Sequence, residues 1–255
     1  MKTKVVILGQ QCLTHAQKAE MWDVYRGFYH YSESGFMERI TRNTHFSLYL
    51  HEDRIVGFTG LRIDKTQVNG RSQLLMYFGQ TVISRAFRGR SLIQTTALLL
   101  VLKYWKAWLT SDVWFWYDAL SYKAYLASAK CAREIYPSRR CPMTEKARQV
   151  RDFAGKHWYG DTYCRQSGTV AKEVNFLNDT SVSIFPDDLH NPDVAFFAQA
   201  NPRYAEGHGL LTFVPVSNAN IGVFIRRYWN RFWHGRKSGS TAGKAKAKPG
   251  TVFTT

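Results

Sequence analysis

Residues 82–100 run Val82-Ile83-Ser84-Arg85-Ala86-Phe87-Arg88-Gly89-Arg90-Ser91-Leu92-Ile93-Gln94-Thr95-Thr96-Ala97-Leu98-Leu99-Leu100. Leu74 to Ser84 is rich in aromatic and β-branched residues and reads as a strand. A basic turn, Arg85 to Arg90, follows it. A helix then runs to about Leu109, with Ser91 as its expected N-cap. A strand that turns tightly into a helix suits an anion. The first backbone N–H groups of a helix lack intrahelical acceptors, and the positive end of the helix dipole lies beside them. Arg88 and Arg90 add charge at the same place, so the pattern predicts a phosphate group as ligand. The plain alternative is an ordinary turn with a capped helix and solvated arginines.

Upstream, Thr14 to Thr41 reads as helical, in two pieces broken near Ser34-Gly35, with Met21, Val24, Tyr25, Phe28 and Tyr29 at helical spacing. Phe46 to Leu50 and Ile55 to Ile63 flank the polar turn His51-Glu52-Asp53-Arg54 and read as a β-hairpin. A second turn surrounds Asn69-Gly70. Downstream, Asp112 to Tyr117 is a nearly continuous apolar run, as a buried strand requires. Ser121 to Glu134 reads as a helix that ends before Pro137. Thr144 to Trp158 reads as a helix, and Ser167 to Val174 and Leu210 to Val216 as strands. Pro186 to Gly209 reads as a long irregular connection. Asn218 to Trp233 has an apolar face (Ile221, Phe224, Ile225, Tyr228, Trp229, Phe232) opposite Arg226, Arg227 and Arg231.

The order helix, hairpin, strand, basic turn, helix, strand, helix spans about Thr14 to Glu134. Within it the turn resembles the central motif of the GNAT (N-acetyltransferase) superfamily, V-x-P-x-Y-R-G-x-G-I-G-x-x-L-L. Ile83 falls at the Val position, Phe87 at the aromatic one and Arg88-Gly89 at R-G. Ser91 and Ile93 stand where the family usually has two glycines. The resemblance implies a mixed, mostly antiparallel α/β sheet flanked by helices, with an α+β extension at its C-terminal end. It implies residues 1–135 as the acyl-coenzyme A-binding domain, 136–236 as an extension packed on it and 237–255 as a disordered basic tail. It also implies acetyl-CoA or another acyl-CoA as co-substrate. Ile83, Arg88, Gly89, Arg90, Ser91, Leu92 and Ile93 would hold it, with the Ile83 N–H polarising the thioester carbonyl. The reaction is direct transfer of an acetyl or longer acyl group to an amine acceptor, a small molecule or a peptide.

The same resemblance supplies candidate acids and bases. The family often has an N-x-x-A-x-x-L-Y helix after the buried strand. Here Ser121-Tyr122-Lys123-Ala124-Tyr125-Leu126-Ala127-Ser128 stands there, so Ser128 takes the place of a general-acid tyrosine and Tyr122 and Tyr125 are its substitutes. Packing alone is the competing role for both tyrosines. The family's Glu on the strand before the turn is replaced by Gly79, which leaves Asp118 as the nearest carboxylate for the proton of the amine. Its competing role is a helix cap.

Composition bounds the rest. The chain has 255 residues, 45% of them hydrophobic and 15% aromatic, enough for a sizeable core. Its formal net charge is +16, and about half of that excess lies after Glu206, where no further acidic residue occurs. Such charge favours anionic partners and predicts weak membrane-surface or nucleic-acid attraction through the basic C-terminus. Four cysteines without C-x-x-C spacing read as reduced thiols of a cytoplasmic protein. The apolar run Ala97 to Leu102 is far short of the ~20 residues of a membrane span. No H-x-x-H, H-E-x-x-H or G-x-S-x-G occurs, which argues against metal and Ser-hydrolase chemistry. Two alternatives to acyl transfer stand: a catalytically degenerate GNAT-like binding module, and a charge-driven nucleic-acid or membrane-surface binding protein.

Overall fold

The computed structural model describes residues 3–172 and 183–226. The lysine-rich tail and the second half of the basic amphipathic segment lie outside them. Eight strands form one sheet: β1 (Lys4–Gly9), β2 (His45–His51), β3 (Arg54–Val68), β4 (Arg71–Ile83), β5 (Asp112–Ala119), β6 (Tyr163–Cys164), β7 (Thr169–Ala171) and β8 (His208–Pro215). Their order is β1-β2-β3-β4-β5-β8-β7-β6. Every neighbouring pair is antiparallel except β4 and β5. This is the mixed, mostly antiparallel sheet that the turn motif implies.

Helices cover both faces. On one lie α1 (His15–Tyr25), α2 (Glu33–Ile40) and α6 (Glu145–Tyr159); on the other lie α3 (Leu92–Lys103), the short α4 (Trp105–Trp108), α5 (Tyr122–Ala129) and α7 (Pro192–Ala200). Strand alternation sorts the core accordingly. Phe46, Leu48 and Phe58 pack under α1 and α2, whereas Ser47 and Tyr49 meet Thr96 of α3. Trp114, Trp116 and Phe213 pack under α6, and Trp116 stacks on Phe213 with ring centroids 5.5 Å apart. Among the described residues no helix is long and apolar enough to cross a membrane.

Several boundaries differ from the sequence reading. The first helical segment breaks over residues 26–32, not at Ser34-Gly35. Ser32 caps α2 by accepting the Gly35 N–H at 3.1 Å, which places Ser34 and Gly35 in its first turn. Ser91 is not a side-chain cap: it sits in the left-handed region at φ 58°, two residues after Gly89 at φ 76°. The helix after it ends at Lys103 rather than Leu109. The supposed irregular connection holds α7, started by Asn191, whose side chain accepts the Asp193 N–H at 3.0 Å, with Pro192 in the first turn. Residues Lys4–Gly9, not assigned in the sequence reading, form β1, an edge strand.

The feature that shapes the site is an extra residue in β4. Phe58 pairs with Val82 but Gly60 pairs with Gly79, so three steps on β4 oppose two on β3. Gln80 takes φ 45° at this bulge, and its Oε1 accepts a hydrogen bond from Asn43 Nδ2 at 2.5 Å. The bulge changes which face each side chain meets. Val82 joins the α1–α2 core, yet so does the odd-numbered Tyr77 join the α6 core on the same side of the sheet.

Gly79 is obligatory here because a Cβ would stand 2.2 Å from the Tyr77 ring. That ring cannot swing aside freely, since Tyr77 is 6% exposed and its hydroxyl donates to Asp118 at 2.9 Å. Gly79→Ala is therefore expected to destabilise the fold by about 1–3 kcal/mol in urea unfolding, as overpacking does. The same change in a Tyr77→Ala background should cost clearly less. An equal cost in both backgrounds would show that the ring is not the obstacle.

Candidate functional site

The parallel pairing of β4 and β5 extends only from Gln73↔Asp112 to Tyr77↔Trp116. Beyond it the strands part. Among the described residues, 78–83 of β4 pair with β3 alone, and Tyr117 to Ala119 of β5 pair with β8 alone. The gap opens into a groove of about 1030 Å³ that reaches both faces of the sheet. On the α3–α5 side its walls include Ile83, the turn from Arg88 to Ile93, Ala97, Ala124 and Ser128. On the other side they include Tyr25, Tyr29, Tyr31, Arg39, Tyr77, Asp118 and Lys172.

Backbone directions in β4 are readable at its end. The Ser84 N–H donates to Val56 O of β3 at 2.9 Å. Amides alternate along a strand, so the Ile83 N–H points the other way, into the gap. The turn then carries the chain to α3. Arg88 Nε donates to Ile83 O at 3.2 Å, and Arg90 donates to Ala86 O at 3.3 Å. Arg90 also lies 4.6 Å from the Phe87 ring centroid. These contacts hold the turn closed and keep both guanidiniums beside the start of α3. No side chain caps that helix, so its first N–H groups face the groove end where Gly89 to Ile93 lie.

The sequence-derived site residues divide. Ile83, Arg88, Gly89, Arg90, Ser91, Leu92 and Ile93 come together along one end of the groove, with Asp118 and Ser128 deeper in it. Tyr125 and Tyr122 do not line it. Tyr125 is fully buried, its ring packed against Phe196 and Phe197, and its hydroxyl donates to Pro137 O at 3.2 Å. Tyr122 packs with the cluster around α5 and α7. The helix presents its small residues, Ala124, Ala127 and Ser128, to the groove and its tyrosines to α7.

Asp118 is not a helix cap: Ser121 caps α5 by accepting the Ala124 N–H at 3.3 Å. Instead its carboxylate is the centre of a polar cluster. It accepts from Tyr77 Oη at 2.9 Å and from Tyr159 Oη at 2.8 Å, and it pairs with Lys172 Nζ. Its side chain is 6% exposed and that of Lys172 15%. Burial pushes the Lys172 ammonium well below its ordinary range, and the nearby Arg39 and Arg62 guanidiniums add to the push. Burial raises the Tyr159 hydroxyl well above the usual tyrosine value, so it stays protonated as a donor. On the α5 side burial likewise raises Tyr117, whose hydroxyl neighbours Ser128.

Tyr159, Lys172, Arg39 and Arg62 have no role in the sequence reading. Each lies far along the chain from Asp118, and no spacing rule joins them. Tyr77 is visible in the sequence only as a flank of Gly79.

No protein-family model matches the sequence, and no curated protein does either. Solved structures similar to this chain include a conserved Enterococcus faecalis protein described as a probable N-acyltransferase, with 14% identity, TM-score 0.38, and 50% of this chain and 32% of that one covered. This chain thus spans about a third of that relative's length. An acyl-CoA N-acyltransferase from Pseudomonas aeruginosa has 15% identity and TM-score 0.36, with 51% of this chain and 85% of that one covered. A ribosomal-protein-alanine N-acetyltransferase from Brucella melitensis has 11% identity and TM-score 0.40, with 52% and 92% covered.

The Asp118–Lys172 pair gives a test of the site's electrostatics. Asp118→Asn leaves a buried ammonium without its counter-charge and is expected to cost up to about 3–5 kcal/mol. The folded-state pKa of Lys172 then lies further below its unfolded value. The deficit should therefore grow as pH falls from the ordinary lysine range, because protonation then favours the unfolded chain. Urea unfolding at several pH values measures it. A deficit independent of pH would mean that Lys172 is not the group left unpaired.

Proposed function

We propose that this chain moves an acyl group from a coenzyme A thioester to an amine by direct transfer. The observation that carries the reading is the parting of β4 and β5 directly in line with the uncapped start of α3. An extended chain with amides, such as the pantetheine arm, can lie along the open edge of β4 and use its unpaired backbone groups. The pyrophosphate then reaches Arg88 to Ile93, where N–H groups, the helix dipole and two guanidiniums meet it. The Ile83 N–H, beside the turn, meets the pantetheine arm, and the thioester carbonyl lies deeper along the open edge of β4, near Asp118 and Ser128, where an N–H of that edge stabilises the oxyanion as the amine adds.

The amine enters from the α1–α2 side. Its nitrogen attacks the carbonyl carbon, and its proton passes to the Asp118–Lys172 pair. The carbon–sulfur bond breaks, and the thiolate takes one proton from the Ser128 hydroxyl, which is backed by that of Tyr117 on the α5 side. Water returns the proton to these hydroxyls as the Asp118–Lys172 pair releases the one taken from the amine. Ser128 and Asp118 keep the roles that the sequence resemblance gives them. Tyr117 replaces Tyr125 and Tyr122, because it lines the groove and its hydroxyl neighbours Ser128, and they do not line it.

The groove also continues past the thioester position along Val101, Leu102, Trp108, Phe115, Val216 and Phe224. Leu102 is 60% exposed and Trp108 39%. An acyl chain longer than acetyl would cover this wall. A binding module without turnover is the second reading, favoured by Gly79 and the Tyr77 ring where the resembling family has a carboxylate.

Calorimetry with a donor series tests the proposal. Acetyl-CoA should bind, and affinity should rise along propionyl, butanoyl and octanoyl donors, with ~0.8 kcal/mol for each fully buried methylene as the upper limit. Arg88→Ala with Arg90→Ala should weaken every donor alike, at about 1.5–3 kcal/mol per charged hydrogen bond lost. In single-turnover assays Tyr117→Phe should slow transfer by up to ~10²-fold, and Tyr125→Phe should not. Absence of donor binding would remove acyl transfer; donor binding without transfer to any amine would select the binding module.

A further inference from the structure

We propose that the acceptor is a small amine that carries an oxyanion, a carboxylate or a phosphate, and that Arg39 is its anchor; this rests on the acyl-transfer reading. Arg39 stands on α2 and lines the groove at its α1–α2 mouth. Its Nη1 donates to Tyr31 Oη at 2.6 Å, and the guanidinium lies 5.3 Å from the Tyr31 ring centroid. Among the described residues no carboxylate comes within ion-pair distance of it. A guanidinium has five N–H donors in a planar fork, and one hydroxyl satisfies only one of them. Partial burial of such a charge without an anion is costly, so the remaining donors are available to a ligand.

The charges around it point the same way. Arg62 lies behind Tyr77, 3.9 Å from that ring's centroid and 4.1 Å from that of Trp158, and its buried Nε has no hydrogen-bond partner. Lys172 is the third cation, and Asp118 is the one carboxylate of the described groove wall. Asp64, further along β3, does not line the groove; burial raises its pKa, and the Arg62 guanidinium and His157 oppose the shift. Among the charges that line this side of the groove, Arg39 and Lys172 therefore outnumber Asp118. A wholly cationic amine would be repelled there. An amine whose own oxyanion meets Arg39 brings the missing negative charge and leaves its nitrogen toward Asp118 and the thioester. The guanidinium fork suits the paired oxygens of a carboxylate or phosphate. The rings of Tyr25, Tyr29 and Tyr31 line the mouth and pack on one another.

The test uses the full chain with saturating acetyl-CoA and matched acceptors: β-alanine against β-alaninamide, and 2-aminoethyl phosphate against ethanolamine. Release of the free thiol gives the rates. Both oxyanion acceptors are expected to exceed their neutral partners by about 10- to 100-fold in kcat/KM, the range of a charged hydrogen bond. The larger of the two ratios identifies carboxylate or phosphate. Arg39→Gln should erase the ratio through KM more than through kcat, Arg39→Lys should keep part of it, and acetyl-CoA affinity should stay the same in both. Circular dichroism checks that the variants fold, and Arg39→Lys decides the matter if Arg39→Gln does not. Equal use of charged and neutral acceptors would overturn the proposal, as would an unchanged ratio in either variant. If acetyl-CoA binds but no amine is acylated, the transfer reading fails and the anchor is judged by binding alone. Quenching of tyrosine fluorescence by β-alanine or 2-aminoethyl phosphate, weakened at least about 10-fold in Arg39→Lys, then supports it; no quenching overturns it.

Discussion

Everything in the site follows from one extra residue in β4. With Gly60 opposite Gly79 and Phe58 opposite Val82, the strand must bulge at Gln80. A bulge bends its strand and increases local twist. Past Tyr77, β4 leaves β5, and six residues of its edge have no partner strand on that side among the described residues. An exposed sheet edge in the middle of a sheet is unstable unless something fills it. Here the two sides of the opening have opposite characters. The α3–α5 side has a helix start and two arginines, and the α1–α2 side has tyrosines, Arg39 and the Asp118–Lys172 pair.

The bulge is itself held by particular contacts. Asn43 bonds the Gln80 side chain from the β2 side, and the Tyr77 ring occupies the space above Gly79. Tyr77 is tied to Asp118, and Asp118 to Tyr159 of α6 and to Lys172. The polar cluster therefore positions the bulge as well as lining the groove. Its members come from β4, β5, α6 and the segment after β7, so the C-terminal part of the chain completes a site whose other wall is N-terminal.

The sequence makes the order of elements from α1 to α5 readable, because hairpin turns at residues 51–54 and 69–70 and the apolar run of β5 are local signals. The turn from Arg85 to Arg90 and its alignment with the groove are legible for the same reason. Helix α7 is missed because Pro186 and Pro192 read as breakers, although Pro192 with Asn191 before it marks a helix start. The bulge leaves no trace except Gly79 and depends on a pairing register that only the folded sheet sets. Tyr125 misleads because a helix that is small on one face and aromatic on the other does not announce which face meets the groove; α7 settles it. Lys172 and Arg39 are invisible for a simpler reason, since the pairing of Lys172 with Asp118 and the arrival of Arg39 at the groove are wholly non-local.

Amide hydrogen exchange with and without acetyl-CoA tests the central claim most directly, residue by residue along β4. If the open edge holds the donor, acetyl-CoA should protect the amides of Thr81 and Ile83 and those of Leu92 to Gln94, while Val56 to Phe58 on the paired side stay unchanged. Donor binding that leaves residues 78–83 and 92–94 unprotected would contradict the account, because coenzyme A would then lie somewhere other than in the gap that the bulge opens.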